Sequence, residues 1–148
     1  RVAYVGHSMG AAVGVLRAAA DARLAALVSL AGMVHVRAFC ERHFGGLVPG
    51  RDTMFARAGC VLSPAFLDDA RTIDTVLPAA RRITVPWLLV HGDRDELVPL
   101  ADAEAAHRAA GGRPDLHVLP AADHRFGGCE AAMVDVVVPW LVRTLRRG

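Results

Sequence analysis

The feature that most limits what this chain can become is the run from Val2 to Gly10, V-A-Y-V-G-H-S-M-G. A short apolar stretch stops at Gly6-His7-Ser8-Met9-Gly10, and a segment of small residues follows at once. A G-x-S-x-G pattern in this setting asks for a strand, a sharp turn and a helix in immediate succession. The turn drives the serine into a strained backbone conformation. Glycine is expected at Gly6 and Gly10 because only hydrogen fits where the two backbones crowd together. Ser8 would then project above the strand end with the helix N-terminus beneath it. Ser8 is the first candidate nucleophile, and the competing reading is a serine in an ordinary glycine-flanked turn.

At 148 residues the chain is one domain's worth or less. The apolar fraction of 53% is ample for a core, and no uninterrupted apolar run approaches the ~20 residues of a membrane span. The first residues read as a strand and not as a basic segment leading into an apolar leader. Cys40, Cys60 and Cys129 are odd in number and lack C-x-x-C spacing. Reduced core thiols are therefore expected rather than a disulfide framework or a zinc site, and with them a cytoplasmic location. No metal or cofactor is expected. A net charge of +2 is too small to argue for a nucleic-acid partner, and no basic stripe is interleaved with aromatics. The chain opens without Met on the strand that carries its candidate nucleophile, so a longer parent protein is expected.

Along the chain, a first helix is expected from about Met9 to Asp21 with Ala12, Val13, Leu16 and Ala19 or Ala20 as its buried stripe. Arg23 to Ala31 is almost continuously apolar, as a parallel strand buried on both faces should be. From Val34 to about residue 70 the pattern loosens into short helical pieces and a Pro/Gly loop, which reads as a lid or cap insertion. Thr72 to Arg82 reads as a helix with Asp74 in its first turn and Arg81-Arg82 in its last. Thr84 to His91 is a further buried strand, Pro99 to Ala110 a polar-faced helix and Leu116 to Leu119 a short strand. Gly127 to Arg147 reads as the last helix, with Met133, Val137 and Leu141 as its core face and Pro139 kinking or dividing it. The order is that of an α/β protein with a parallel sheet flanked by helices.

Two loops offer partners for Ser8. His91-Gly92-Asp93-Arg94-Asp95 follows the third strand, where an α/β sheet presents functional side chains at its carboxyl ends. Asp93 reads best as a turn former. Asp95 lies further out, where it can fold back across the strand tips, although a turn or cap role is its alternative. His124, in Ala121-Ala122-Asp123-His124-Arg125-Phe126, occupies the loop between the last strand and the final helix. His7 is expected to point away from the nucleophile across a strand pleat and to serve structure alone.

The order Ser8, Asp95, His124 is the Ser…Asp…His order of the α/β-hydrolase fold. G-H-S-M-G, H-G-D-R-D-E-L-V-P and A-D-H-R-F together resemble the nucleophile elbow, acid loop and histidine loop of the α/β-hydrolase superfamily, in particular its small esterases, lipases and serine aminopeptidase-like enzymes. The resemblance implies that Ser8 is the nucleophile, His124 the base and Asp95, on the Asp of H-G-x-x-D, the acid. It also implies that the backbone N–H of Met9 is one oxyanion donor. Some members carry the acid one strand earlier, but here the segment after Gly32 offers no Asp and its nearest carboxylate is Glu41.

The family's sheet has eight strands, of which this chain supplies the equivalents of the last four. The resemblance thus implies a C-terminal portion of the fold, lacking the strand-three loop that gives the second oxyanion donor. The Val2–Val5 strand, central in the family, would be an exposed apolar edge here and a route to self-association. Two functions are expected to compete. The first is hydrolysis of a small acyl ester through an acyl-enzyme, with Phe39, Phe44 and Phe66 of the lid as substrate contacts or simply as lid core. Thioesters, short amides, peracids and C–C bonds stay open as substrates. The second is a catalytically inactive remnant that acts only in binding or assembly.

Overall fold

The near-continuous apolar runs Val2–Val5, Leu24–Leu30 and Trp87–Val90 become strands, a shorter one forms at Asp115–Leu119, and the strands pair in parallel in the order in which they occur. The computed structural model describes residues 2–146. It places β1 at Val2–His7, β2 at Leu24–Leu30, β3 at Trp87–Gly92 and β4 at Asp115–Leu119, with β1 and β4 as the edges of the sheet. The register sets His7 beside Leu30, Leu30 beside Val90 and Gly92 beside Leu119. All four carboxyl ends therefore finish along one rim.

The period-2 alternation of a strand sorts its side chains onto two faces. On one face Ala26, Val28, Leu88 and Val90 pack with Val137 and Trp140 of the last helix. On the other, Ser29, Trp87 and Leu89 meet Ala11 and Val15 of the first helix, α1 (Met9–Ala18), and Ala103 and Ala106 of the helix at Leu100–Ala109. The result is three layers. Each indole is tied down as well as buried: Trp87 Nε1 donates to Ser29 Oγ at 3.0 Å, and Trp140 Nε1 donates to Asp115 Oδ2 at 2.6 Å. An indole N–H buried without an acceptor would cost about 1–3 kcal/mol.

The chain divides into two compact units, one formed up to Val34 and again from Val76 onward, the other His35–Thr75. Where the first unit is interrupted, Val76 N–H donates to Val34 O at 3.0 Å, and the buried Asp102 accepts from Val34 N–H at 3.0 Å. The second unit carries α2 (Val36–Phe44), a 3-10 turn at Met54–Ala56 and α3 (Pro64–Arg71). Ser63 caps α3 by accepting from the N–H of Phe66 at 3.4 Å. Its core is aromatic: Phe44 lies 5.9 Å from Phe39, 5.3 Å from Phe55 and 6.1 Å from Phe66 between ring centroids.

Several sequence expectations are corrected. The helix expected over Thr72–Arg82 is only α4, Leu77–Ala80. Pro78 lacks an N–H and belongs in a first turn, so the helix starts beside it. Asp74 therefore lies outside any helix and pairs with Arg37 at 3.5 Å. The second unit runs to Thr75, and the sequence places the end of its insertion near residue 70. In α1 the buried positions are Ala11, Ala12, Gly14 and Val15, while Val13 is 46% exposed. The packing face is the small one, since a Cβ on Gly14 would press on the Tyr4 ring and Leu27.

The fifth helix, α5, is Leu100–Ala109, and α6 is Glu130–Arg146. α6 begins after Gly128, whose φ of 72° is not helical, and it runs through Pro139 undivided. Arg147, which the sequence placed in this helix, lies outside the described residues. Val137 and Trp140 are the buried anchors of α6, with Met133 and Leu141 packed at the margin. Among the described residues no helix is long and apolar enough to cross a membrane.

Candidate active site

Ser8 closes β1 and caps α1. Its φ of 56° and ψ of −118° lie outside the regions that side chains favour. Strain of this kind costs about 1–3 kcal/mol and persists only where the surroundings impose it. The surroundings do so here: Ser8 N–H donates to Leu30 O at 2.9 Å, and Ser8 O accepts from Met33 N–H at 3.2 Å. The two flanking glycines are not equivalent. A Cβ on Gly6 would collide with the carbonyl group of Gly10, whereas one on Gly10 would meet nothing within 4 Å. The crowding expected at both positions is therefore confined to Gly6.

Asp95 lies three residues beyond β3 and His124 in the β4–α6 loop. Ser8 Oγ is 3.0 Å from His124 Nε2, and His124 Nδ1 is 2.8 Å from Asp95 Oδ2. The structure thus brings Ser8, His124 and Asp95 into one hydrogen-bonded line. An ionised carboxylate only accepts, so Nδ1 carries the proton and donates to Asp95. Nε2 is left with its lone pair toward the Ser8 hydroxyl. His124 is 7% exposed and the Asp95 side chain is closed off from solvent.

The carboxylate of Asp95 is gripped on both oxygens. Oδ1 accepts from the N–H groups of Leu97 and Val98 at 2.9 and 2.8 Å. Oδ2 accepts from His124 and has His91 Nε2 3.3 Å away. Burial alone would raise this carboxyl, but hydrogen bonds from His124, His91 and the Val98 N–H outweigh it and hold the group well below the usual carboxylate range. The folded chain therefore binds fewer protons at Asp95 than the unfolded chain, in which an Asp titrates near about 3.9. Its contribution to stability is complete above that value and is lost as pH falls toward the depressed folded value. In urea unfolding from pH 6 to pH 2, Asp95→Asn should remove about one proton from the acid slope of stability. Equal slopes in parent and variant would contradict the grip described here.

Three participants are not evident from the sequence. His91 is fully buried, with Nε2 2.9 Å from Val98 O. Two acceptors face that nitrogen, so it carries the hydrogen. Asp93, read as a local turn former, instead accepts from the N–H of Ala121 at 2.6 Å and ties the acid loop to the histidine loop. Asp123 Oδ1 accepts from the N–H groups of Arg125 and Gly127 at 2.9 and 2.8 Å. Gly92 lets these loops approach, because a Cβ there would strike the carbonyl group of Ala122. The available signal was the H-G-D-R-D spacing, which sets three polar side chains around one turn. His7 is also corrected: its ring turns toward His124, with centroids 4.8 Å apart, and not away from it.

Of the lid aromatics, Phe39 and Phe44 are buried at 8% and 3% exposure, and Phe66 is half-buried. Their packing against one another is what the core of the second unit requires. That unit also holds a cavity of about 490 Å³, lined in part by Phe44, Leu47, Leu67, Arg37 and Arg71.

No protein-family model and no curated protein sequence matches the chain. Solved structures do. Est1E from Butyrivibrio proteoclasticus is 25% identical with a TM-score of 0.79, over 96% of this chain and 60% of that one. The esterase domain of a Rhodothermus marinus protein is 25% identical with a TM-score of 0.73, over 94% and 60%. A monoacylglycerol lipase from Paleococcus ferrophilus, at 18% identity and a TM-score of 0.66 over 95% and 67%, is a likeness of fold alone. The chain thus spans about 60% of the length of the first two structures.

Proposed function

We propose that this chain, whose fold is that of the α/β-hydrolases, hydrolyses carboxylic esters of small acyl compounds. The observation that carries the reading is the line from Ser8 Oγ through His124 to Asp95, at 3.0 and 2.8 Å. Ser8 Oγ attacks the acyl carbonyl as His124 Nε2 takes its proton, and the imidazolium returns that proton to the departing alcohol. Water, activated by the same imidazole, then opens the acyl-enzyme, releasing the carboxylic acid and restoring the hydroxyl. Asp95 fixes the tautomer and stabilises the imidazolium.

The N–H of Met9, first residue of α1, has no acceptor within its own helix and is the proposed oxyanion donor. One such donor is worth about 10²–10³ in turnover, so a chain relying on Met9 N–H alone would turn over slowly. Residues 35–75 are the proposed lid. Phe39, Phe44 and Phe66 are the proposed acyl contacts, with Phe66 the most accessible.

A second reading, in which the chain acts only in assembly, is favoured by the edge strand β1, where Val2 and Val5 are 56% and 46% exposed. Mixing the chain with p-nitrophenyl acetate separates the two. The enzymatic reading expects a burst of one nitrophenolate per chain and then slower steady release. No release above that of Ser8→Ala overturns it. If sedimentation then shows self-association that Val5→Lys weakens, assembly is what remains.

A further inference from the structure

His7 is the last residue of β1, and its side chain does something the reaction scheme leaves unassigned. Its Nε2 lies 2.7 Å from the backbone carbonyl oxygen of His124. A carbonyl only accepts, so Nε2 carries the hydrogen and donates it. The His7 ring also packs on the His124 ring at 4.8 Å and 48°, and edge-on to Phe126 at 6.3 Å.

The rest of the histidine loop is fastened elsewhere. Asp93 holds the N–H of Ala121, and Asp123 holds those of Arg125 and Gly127. These bonds fix the backbone on either side of residue 124, while His7 grips the peptide of residue 124 itself and one face of its ring.

We infer that His7 is a positioning residue that sets the depth and tilt of the His124 imidazole over the Ser8 hydroxyl. The inference rests on the proposed roles of Ser8 and His124. Chain connectivity makes the device direct: His7 and Ser8 are neighbours, so the β1 strand end that presents the hydroxyl also holds the base. Any drift of the elbow then carries both groups together, and the 3.0 Å separation of Ser8 Oγ and His124 Nε2 is kept. A displacement of about 1 Å between reacting groups costs on the order of 10²-fold in rate, so loss of this grip should appear in kcat.

The test compares the 148-residue chain with His7→Leu and His7→Gln by three readouts: melting temperature, kcat and KM for p-nitrophenyl acetate, and the downfield proton resonance of His124 Nδ1–H. His7→Leu should lower kcat about 10- to 100-fold with KM nearly unchanged, and should broaden the resonance. The carboxamide N–H of His7→Gln reaches the same carbonyl, so this variant should recover most of both. Parent-like kcat and resonance in His7→Leu overturn the inference, whatever happens to the melting temperature.

A parent with the resonance but no esterase activity refutes the enzymatic reading alone. The resonance in His7→Leu then decides the role of His7: broadened it stands, unchanged it falls. A parent with neither overturns both. Should His7→Leu fail to fold, His7→Asn, whose shorter arm withdraws the donor, is compared with His7→Gln. Parent-like values in His7→Asn then overturn the inference.

Discussion

Ser8→Ala should lower kcat for p-nitrophenyl acetate by as much as about 10⁶-fold, and His124→Ala by about as much. The double variant should be no worse than either single one, because a hydroxyl without its base and a base without its hydroxyl are equally idle. Asp95→Asn should cost about 10⁴-fold, since the imidazole then loses the acceptor that fixes its tautomer. The floor beneath all of these is set by the Met9 N–H and by binding. Steady-state kinetics on the four proteins checks the pattern. Losses that multiply in the double variant would mean that Ser8 and His124 act separately, despite the 3.0 Å between them.

Gly6→Ala should be strongly damaging to the fold although it adds a single methyl group. The new methyl would be driven into the Gly10 carbonyl, which belongs to backbone and cannot swing aside. Overpacking of this kind costs about 1–3 kcal/mol, occasionally more, and here it acts on a turn already strained at Ser8. Gly10→Ala is the control. Its methyl meets nothing within 4 Å, and alanine inside a helix is favoured over glycine by up to about 1 kcal/mol. Urea unfolding should therefore place Gly6→Ala well below the parent and Gly10→Ala at or above it. Equal destabilisation by both would restore the symmetric crowding that the G-x-S-x-G pattern first suggested.

That contrast shows what the sequence could carry. Leu24–Leu30 and Leu88–Val90 are legible as strands because burial on both faces demands continuous apolar residues, and Val2–Val5 because its apolar run stops at the G-x-S-x-G turn. The places of Ser8, Asp95 and His124 follow from strand ends and loop order. A residue's role is hidden from the sequence where it depends on a partner far along the chain. Asp93 looks like a turn residue until Ala121, across the rim, supplies the N–H it accepts. His7 alternates away from its strand neighbours by pleat, but a pleat argument says nothing about a loop that returns more than a hundred residues later to meet it. In α1 the i, i+3, i+4 spacing points to Ala12, Val13, Leu16 and Ala19 or Ala20, whereas the packing face is set by how closely Gly14 lets the helix approach Tyr4 and Leu27. Pro78 was a local signal within reach, and it limits α4 to Leu77–Ala80.

The central claim is that Ser8 is an activated hydroxyl and not merely one that lies near an imidazole. The chain offers an internal control, because its other serines are Ser29, buried and bonded to Trp87, and Ser63, exposed at the start of α3. The folded chain is treated with a fluorophosphonate and the site of the adduct is read by peptide mass spectrometry. The account predicts an adduct on Ser8, absent when His124 is replaced by Ala. A folded chain that takes no label, or takes it on Ser63, would contradict it.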